Sequence, residues 1–149
     1  MGDQYRKPIR LLRPATRSDI AGIHRVRLAV RENALSSPDR ITEADYLAVI
    51  DGLGRGWVVE SQGEIAAFAF GLNTGNIWAL FVHPDHEGRG YGKDLHSTMV
   101  EWLWSQGIAR LWLTTEPGTR AERFYLSQGW RRCGLAESGE LQLELERGY

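Results

Sequence analysis

The run Ile77-Trp78-Ala79-Leu80-Phe81-Val82, then His83-Pro84-Asp85-His86, then Glu87-Gly88-Arg89-Gly90-Tyr91-Gly92-Lys93, decides how this chain reads. It passes from an apolar strand, through a short punctuation and a glycine loop, into a helical pattern from Lys93 to Leu103. The alternating glycines remove Cβ atoms that would block close approach to the backbone. The free N–H groups of the loop and of the first helical turn point outward, and the helix dipole adds partial positive charge there. Arg89 and Lys93 add full positive charges beside them. The simplest reading is a seat for a diphosphate. Taken alone, the same cluster also reads as a surface turn that caps a helix, so the flanking sequence has to decide.

Two familiar phosphate sites do not fit. A nucleotide-hydrolase loop needs Ser or Thr after its Gly-Lys, to hold magnesium, and Gly92-Lys93 is followed by Asp94. A dinucleotide fingerprint needs Gly-x-Gly-x-x-Gly, whereas Gly88, Gly90 and Gly92 run Gly-x-Gly-x-Gly.

Composition narrows the class. A chain of 149 residues suits one domain, read here as 1–149, and can bury about two-thirds of its unfolded surface. Hydrophobic content of 42% and charged content of 25% are ordinary for a globular protein. A formal net charge of -1 argues against a general nucleic-acid or membrane binder. No apolar run approaches the ~18 residues of a membrane span, and Met1 to Lys7 lacks an apolar signal core. A cytoplasmic location is the default expectation. Cys133 is the single cysteine, so no internal disulfide or thiolate metal site is expected, and it reads as a small packing residue beside strand sequence. Four histidines without paired cysteines suggest no metal constellation.

Local patterns order the rest. Ile9 to Pro14 reads as a strand. Thr16 to about Arg31 reads as a helix capped by Thr16, with Ile20, Ile23, His24, Arg27, Leu28 and Arg31 at helical spacing. Thr42-x-x-Asp45 opens a second helix, which Gly52, Gly54 and Gly56 end. Trp57–Glu60 and Glu64–Leu72 form a hairpin around Ser61-Gln62-Gly63, and Asn73-Thr74-Gly75 turns the chain into the Ile77–Val82 strand. Leu95, Met99 and Leu103 mark the buried face of the third helix, which Gly107 ends. Leu111–Thr114 reads as a central strand. Thr119-x-x-Glu122 reads as a capping box for a last helix ending at Gly129. Leu141, Leu143 and Leu145 alternate with polar residues, giving a final strand with one wet face. The order βαα-βββ-αβ-αβ-β implies an α/β sheet with helices on both faces.

A second block now joins the first. Val82 to Gly92 resembles the acetyl-CoA loop of the GNAT superfamily of N-acetyltransferases, whose pattern is Gln/Arg-x-x-Gly-x-Gly/Ala after a strand ending in Val-x-Pro. Ala121-Glu122-Arg123-Phe124-Tyr125-Leu126-Ser127-Gln128-Gly129-Trp130 is similar to that family's Ala-x-x-Phe-Tyr-x-x-x-Gly-Phe. The resemblance extends from Ile9 to about Leu145. It implies a mixed, mostly antiparallel central sheet, with a parallel pair flanking the glycine-loop helix. Two positions depart from the pattern. Glu87 stands where Gln or Arg is usual, so its carboxylate is expected to be turned away or salt-bridged. Gly118 stands where many members have Asn.

The resemblance implies acetyl-CoA as cosubstrate, with no metal. Its diphosphate is expected on Glu87, Gly88, Arg89, Gly90, Tyr91, Gly92 and Lys93, and its pantetheine arm beside Leu80, Phe81 and Val82 as an added strand. Unpaired strand N–H and C=O groups would satisfy such an amide-rich arm. Tyr125 aligns with the family's general-acid tyrosine, and a phenol of pKa about 10 stays protonated at neutral pH. The expected reaction is acetyl transfer to a primary amine of a small molecule by direct attack. A protein or peptide acetyltransferase and a non-catalytic CoA-binding module are the alternatives. His83, Asp85, His86 and Glu32 are candidate bases, and none is singled out. Arg120 reads either as a reach to a phosphate or substrate carboxylate or as an exposed arginine. The family's acceptor walls correspond to Arg31–Ser36 and the segment around Gly134 to Glu140. Trp78 and Trp112 either shape the pocket or join the core. The family often pairs subunits through its late strands, so a homodimer is expected. No nucleic-acid or membrane partner is expected.

Overall fold

Alternating apolar residues and glycine turns set the architecture of residues 10–148, the part of the chain that the computed structural model describes. Ile9 and the segment from Met1 to Lys7 lie outside the described residues. The strands are β1 (Arg10–Pro14), β2 (Gly54–Ser61), β3 (Glu64–Leu72), β4 (Ile77–Val82), β5 (Arg110–Thr115), β6 (Arg131–Leu135) and β7 (Leu141–Glu146). The helices are α1 (Ile20–Ala29), α2 (Glu43–Ala48), α3 (Tyr91–Ser105) and α4 (Arg120–Ser127). Short 3-10 turns precede α1, α2 and α3, and a π turn, Val49–Leu53, follows α2. The element order is the one read from the sequence.

The strands form two antiparallel sheets, β1-β2-β3-β4 and β5-β7-β6. The expected parallel pair on either side of α3 is a single bridge, Asn76 to Trp112, after which β4 and β5 part. Among the described residues, no strand pairs with the edge of β4 that faces β5. That divergence creates the gap in which the candidate site lies.

Period-two alternation in β3 sends small and large side chains to opposite faces. Ala67 and Ala69 meet Leu95, Met99 and Leu103 of α3. Phe68 and Phe70 meet Ile23 and Val26 of α1 and Tyr46 of α2. Helices therefore cover both faces of the first sheet, and small residues on the α3 side let that helix lie close.

Several local readings shift. Gly54 and Gly56 belong to β2 rather than to a helix end. Gly54 is required by proximity, since a Cβ there would sit 2.0 Å from the carbonyl oxygen of Gly71 on β3. On α1, Val26 is fully buried, while Leu28 is exposed. Thr42 and Asp45 open α2 as read, and they form a capping box, with the Thr42 N–H donating to the Asp45 carboxylate at 2.7 Å. The box read at Thr119–Glu122 forms only by half. Thr119 Oγ1 accepts from the Glu122 N–H, but the Glu122 carboxylate accepts from the Gly118 N–H at 2.7 Å and from Arg132 Nε at 2.8 Å. Cys133 is exposed on β6 rather than packed. No helix of the described residues is long and apolar enough to cross a membrane.

Candidate active site

The glycine loop is placed by the end of β4. His83 extends the strand by one hydrogen bond, its N–H donating to the Ala66 carbonyl at 2.8 Å. The turn Pro84–His86 then redirects the chain. Gly88 and Gly90 adopt φ of +77° and +83°, and Gly90 is the N-cap of α3. Side chains other than glycine meet steric cost in that left-handed region. Among the described residues, the N–H groups of Gly88, Arg89, Gly90, Tyr91, Gly92 and Lys93 have no hydrogen-bond acceptor. Free amides at a helix N-terminus suit an anion. Gly92 is not strained, and a Cβ there would meet Val82 only at 3.6 Å.

The charges around the loop are disposed as follows. Lys93 lines the groove beside it. Arg89 does not; its guanidinium lies 3.0 Å from Nδ1 of His86, and it is absent from the groove wall. Burial first, and then Arg89, push the His86 pKa down. Glu87 is salt-bridged, as the departure from the family pattern requires, and its partner is Arg120. The backbone N–H of Arg120, at the start of α4, donates to Glu32 at 3.2 Å.

The groove itself has a volume of about 580 Å³ and runs from Glu87, Gly88 and Lys93 past Leu80, Phe81 and Val82 to Tyr125. A second cavity of about 440 Å³ lies between the α1–α2 connection and β5, with Arg27, Ser36, Trp78, Thr114 and Glu140 on its wall. The two share Asn33, Leu80, Phe81, Ala121 and Tyr125. The candidate site therefore consists of two chambers that meet along these five residues, of which Tyr125 is the one with an ionisable side chain. Trp78 takes both expected roles, lining the second chamber while packing on Tyr46 and Phe70. Trp112 is exposed and lines neither.

Tyr125 is 6% exposed and packed among Phe124, His96 and Trp130. Burial pushes its phenol pKa up, so the hydroxyl keeps its proton at neutral pH. Among the described residues, no group hydrogen-bonds that hydroxyl. A donor that no described residue engages, at the junction of two chambers, can serve a bound group.

Two residues at the site carry contacts that the sequence does not show, although Asn33 lies within the Arg31–Ser36 segment expected to wall the acceptor side. Asn33 has φ of +56°, its Nδ2 donates to Thr115 Oγ1 at 3.1 Å, and its Oδ1 accepts from the Glu116 N–H at 2.9 Å. It ties the α1–α2 connection to the end of β5, and such a tertiary bond leaves no local signal. Arg27 is buried on α1, with its guanidinium 4.1 Å from the centre of the Phe81 ring. A signal did exist there: Arg27 sits four residues after Ile23, in the apolar stripe of the helix. Of the candidate bases, Glu32 and His86 line the first chamber, and His83 and Asp85 line neither. Among the described residues, no three of His, Cys, Asp and Glu gather as a metal-ligand set.

Comparison with known proteins bears on the family. The model of the acetyltransferase (GNAT) family matches residues 19–130. The chain belongs to that family. It is 30% identical over 81 residues to the ribosomal protein bS18-alanine N-acetyltransferase of Haemophilus ducreyi, covering 52% of this chain and 56% of that protein. It is 34% identical over 95 residues to an uncharacterized N-acetyltransferase of Archaeoglobus fulgidus, covering 62% and 63%. The matches span 29% to 63% of the length of three curated relatives. The PaiA N-acetyltransferase of Thermoplasma acidophilum, solved in complex with coenzyme A, superposes with a TM-score of 0.80 at 12% identity, covering 93% of this chain and 99% of that one. The mixed fold of this GNAT-family chain is therefore shared with a solved acetyltransferase.

Proposed function

We propose that this GNAT-family chain moves an acetyl group from acetyl-CoA to the primary amine of a small molecule, with both bound at once. The observation that carries this reading is the meeting of two chambers at Tyr125. The residues fit the cosubstrate. Free N–H groups from Gly88 to Lys93 and the Lys93 ammonium suit its diphosphate. The unpaired edge at Leu80, Phe81 and Val82 suits its amide-rich arm, which adds to the sheet as a strand would. Glu87 contributes its backbone to the loop, with its charge met by Arg120. Arg89 and Tyr91 contribute their N–H groups. The Tyr91 ring is buried and holds the loop to the core.

Bound acetyl-CoA supplies an activated acyl group on sulfur. The chain's residues do the rest. Unpaired N–H groups along the Leu80–Val82 edge polarise the carbonyl. The second chamber orients the amine, and Glu116 and Glu140 are the carboxylates on its wall. As the amine nitrogen bonds to the carbonyl carbon and the C–S bond breaks, Tyr125 Oη donates its proton to the departing sulfur, and the proton that the nitrogen sheds passes to solvent, which reprotonates the phenolate. Asn33 holds the boundary between the chambers through Thr115 and Glu116.

Release of free thiol from acetyl-CoA, followed across a panel of amines, tests this reading. Amine-dependent release is expected. Binding of acetyl-CoA with no release on any amine would instead indicate a CoA-binding module. A second reading, acetylation of a protein N-terminus, is favoured by the 30% identity to the bS18-alanine enzyme. Release with peptides bearing a free N-terminal alanine, and with no small amine, would select it.

A further inference from the structure

The second chamber contains a group that its own protein leaves without a partner. Arg27 is 8% exposed, and its Nη1 is buried with no hydrogen-bond acceptor. Among the described residues, no carboxylate pairs with it. Its guanidinium lies over the ring of Phe81, 4.1 Å from the centroid, and both residues line the chamber. Stacking on Phe81 offsets part of the desolvation of a buried cation. It does not satisfy the N–H groups, which lie in the plane of the guanidinium. A buried charge ordinarily persists only when paired, and an unpaired one in a native fold calls for a reason. Burial also weakens the hold of Arg27 on its proton.

Its neighbours suggest what is missing. Arg40 is a second cation on the chamber wall, whereas Glu116 and Glu140 are its acids. Thr114, Thr115 and Ser36 add hydroxyls. Tyr125 stands where the chamber meets the first groove. A ligand placed here has an anionic end at Arg27 and an amine end toward Tyr125. The guanidinium fork matches a planar carboxylate with paired hydrogen bonds.

We propose that the acceptor is a small amine that also bears a carboxylate, an amino acid, and that Arg27 is the residue that selects it. This inference rests on the acetyltransferase reading above and deepens it. The carboxylate sits against Arg27, which fixes the molecule with its amine directed to the junction. An acceptor lacking the carboxylate leaves Arg27 buried and unpaired, so discrimination comes from the cost of that state as much as from the bond gained.

The test measures kcat/KM by thiol release for the protein amino acids, each beside its own carboxamide. The amide keeps the amine and side chain and removes the charge. The best acid is expected to exceed its amide by about ten-fold or more. In Arg27→Met, which keeps the length and apolar packing of the stem, that ratio is expected to fall toward one, with the change carried by KM for the acid. Should Arg27→Met fail to fold, the wild-type ratio and that of Arg27→Lys decide, the lysine variant keeping a preference that is weaker than wild type. Equal use of acids and amides by the wild-type protein overturns the inference, as does a ratio unchanged in Arg27→Met. Acetyl-CoA binding with no transfer to any acid or amide also overturns it, while leaving the cosubstrate seat intact. Failure to bind acetyl-CoA at all removes the reading beneath it.

Discussion

The guanidinium of Arg120, the first residue of α4, pairs with the carboxylate of Glu87, which opens the glycine loop. The pair bridges the two elements on either side of the groove and neutralises an acid beside the proposed phosphate seat. Both side chains are exposed, so the effect on stability is small, about 0.2–1 kcal/mol. Its effect on an anion is larger in principle and has a definite sign. Glu87→Gln removes a negative charge and frees Arg120, so the acetyl-CoA Kd should fall by about two- to five-fold. Arg120→Gln leaves Glu87 unopposed, so the Kd should rise by a similar factor. Calorimetric titration at low salt measures both, and the difference should shrink at ~1 M salt, where screening acts over about 3 Å. Weaker binding in Glu87→Gln would show that the carboxylate does not face the phosphates.

Tyr125→Phe separates binding from chemistry. The ring stays in its aromatic surroundings and only the hydroxyl is lost. Turnover is expected to fall by about ten-fold or more with little change in acetyl-CoA affinity, measured by thiol release and by titration. Unchanged turnover would defeat the general-acid role.

His96 carries a pH dependence unrelated to catalysis. It lies in the core of α3, and its Nε2 accepts from Trp130 Nε1 at 2.8 Å. Burial pushes its pKa from 6.5 down to about 4. The folded protein thus holds a neutral ring where the unfolded chain takes up a proton. Stability is full above pH 6.5 and declines as pH falls toward 4. Between pH 7 and 5 the loss should be about 2 kcal/mol. Asp19, Glu122 and Glu144 are held below their ordinary carboxylate values, so their contributions are lost at lower pH. Urea unfolding at pH 7 and pH 5 measures the slope. His96→Gln, which keeps an acceptor for Trp130 without titrating, should flatten it, and an equal slope in the variant would contradict this assignment.

Gly54 tests the register of the first sheet. Its backbone is extended, at φ of 178°, so a side chain meets no conformational strain. The obstacle is the Gly71 carbonyl, 2.0 Å from where a Cβ would stand. Gly54→Ala should therefore cost about 2–3 kcal/mol, by displacing β2 from β3. A loss under about 0.5 kcal/mol in urea unfolding would mean that the strands are not so close.

What could be read from the sequence was what short-range geometry determines. The strand, glycine loop and helix from Ile77 to Leu103 were legible because apolar runs, alternating glycines and helical spacing are local. So was the Thr42–Asp45 cap. Features made by distant partners were not. The Thr119–Glu122 spacing promised a reciprocal box, but Arg132 on β6 and the Gly118 N–H hold the glutamate instead. Glu144 was read onto a wet face and is buried beside Arg110. Glu87 was readable as an acid in need of a partner, while the identity of that partner depended on how α4 approaches the loop. Arg27 was visible at its helical position, but its burial depends on Phe81 across the α1–sheet interface.

The account rests on the glycine loop and the open edge of β4 forming a seat for acetyl-CoA. Thermal unfolding with acetyl-CoA, with free CoA and with ATP tests this most directly. A ligand at about 100 times its Kd adds about 2.7 kcal/mol, enough to raise the midpoint by several degrees. The prediction is a rise with both CoA species and none with ATP. No rise with acetyl-CoA, or an equal rise with ATP, would contradict it.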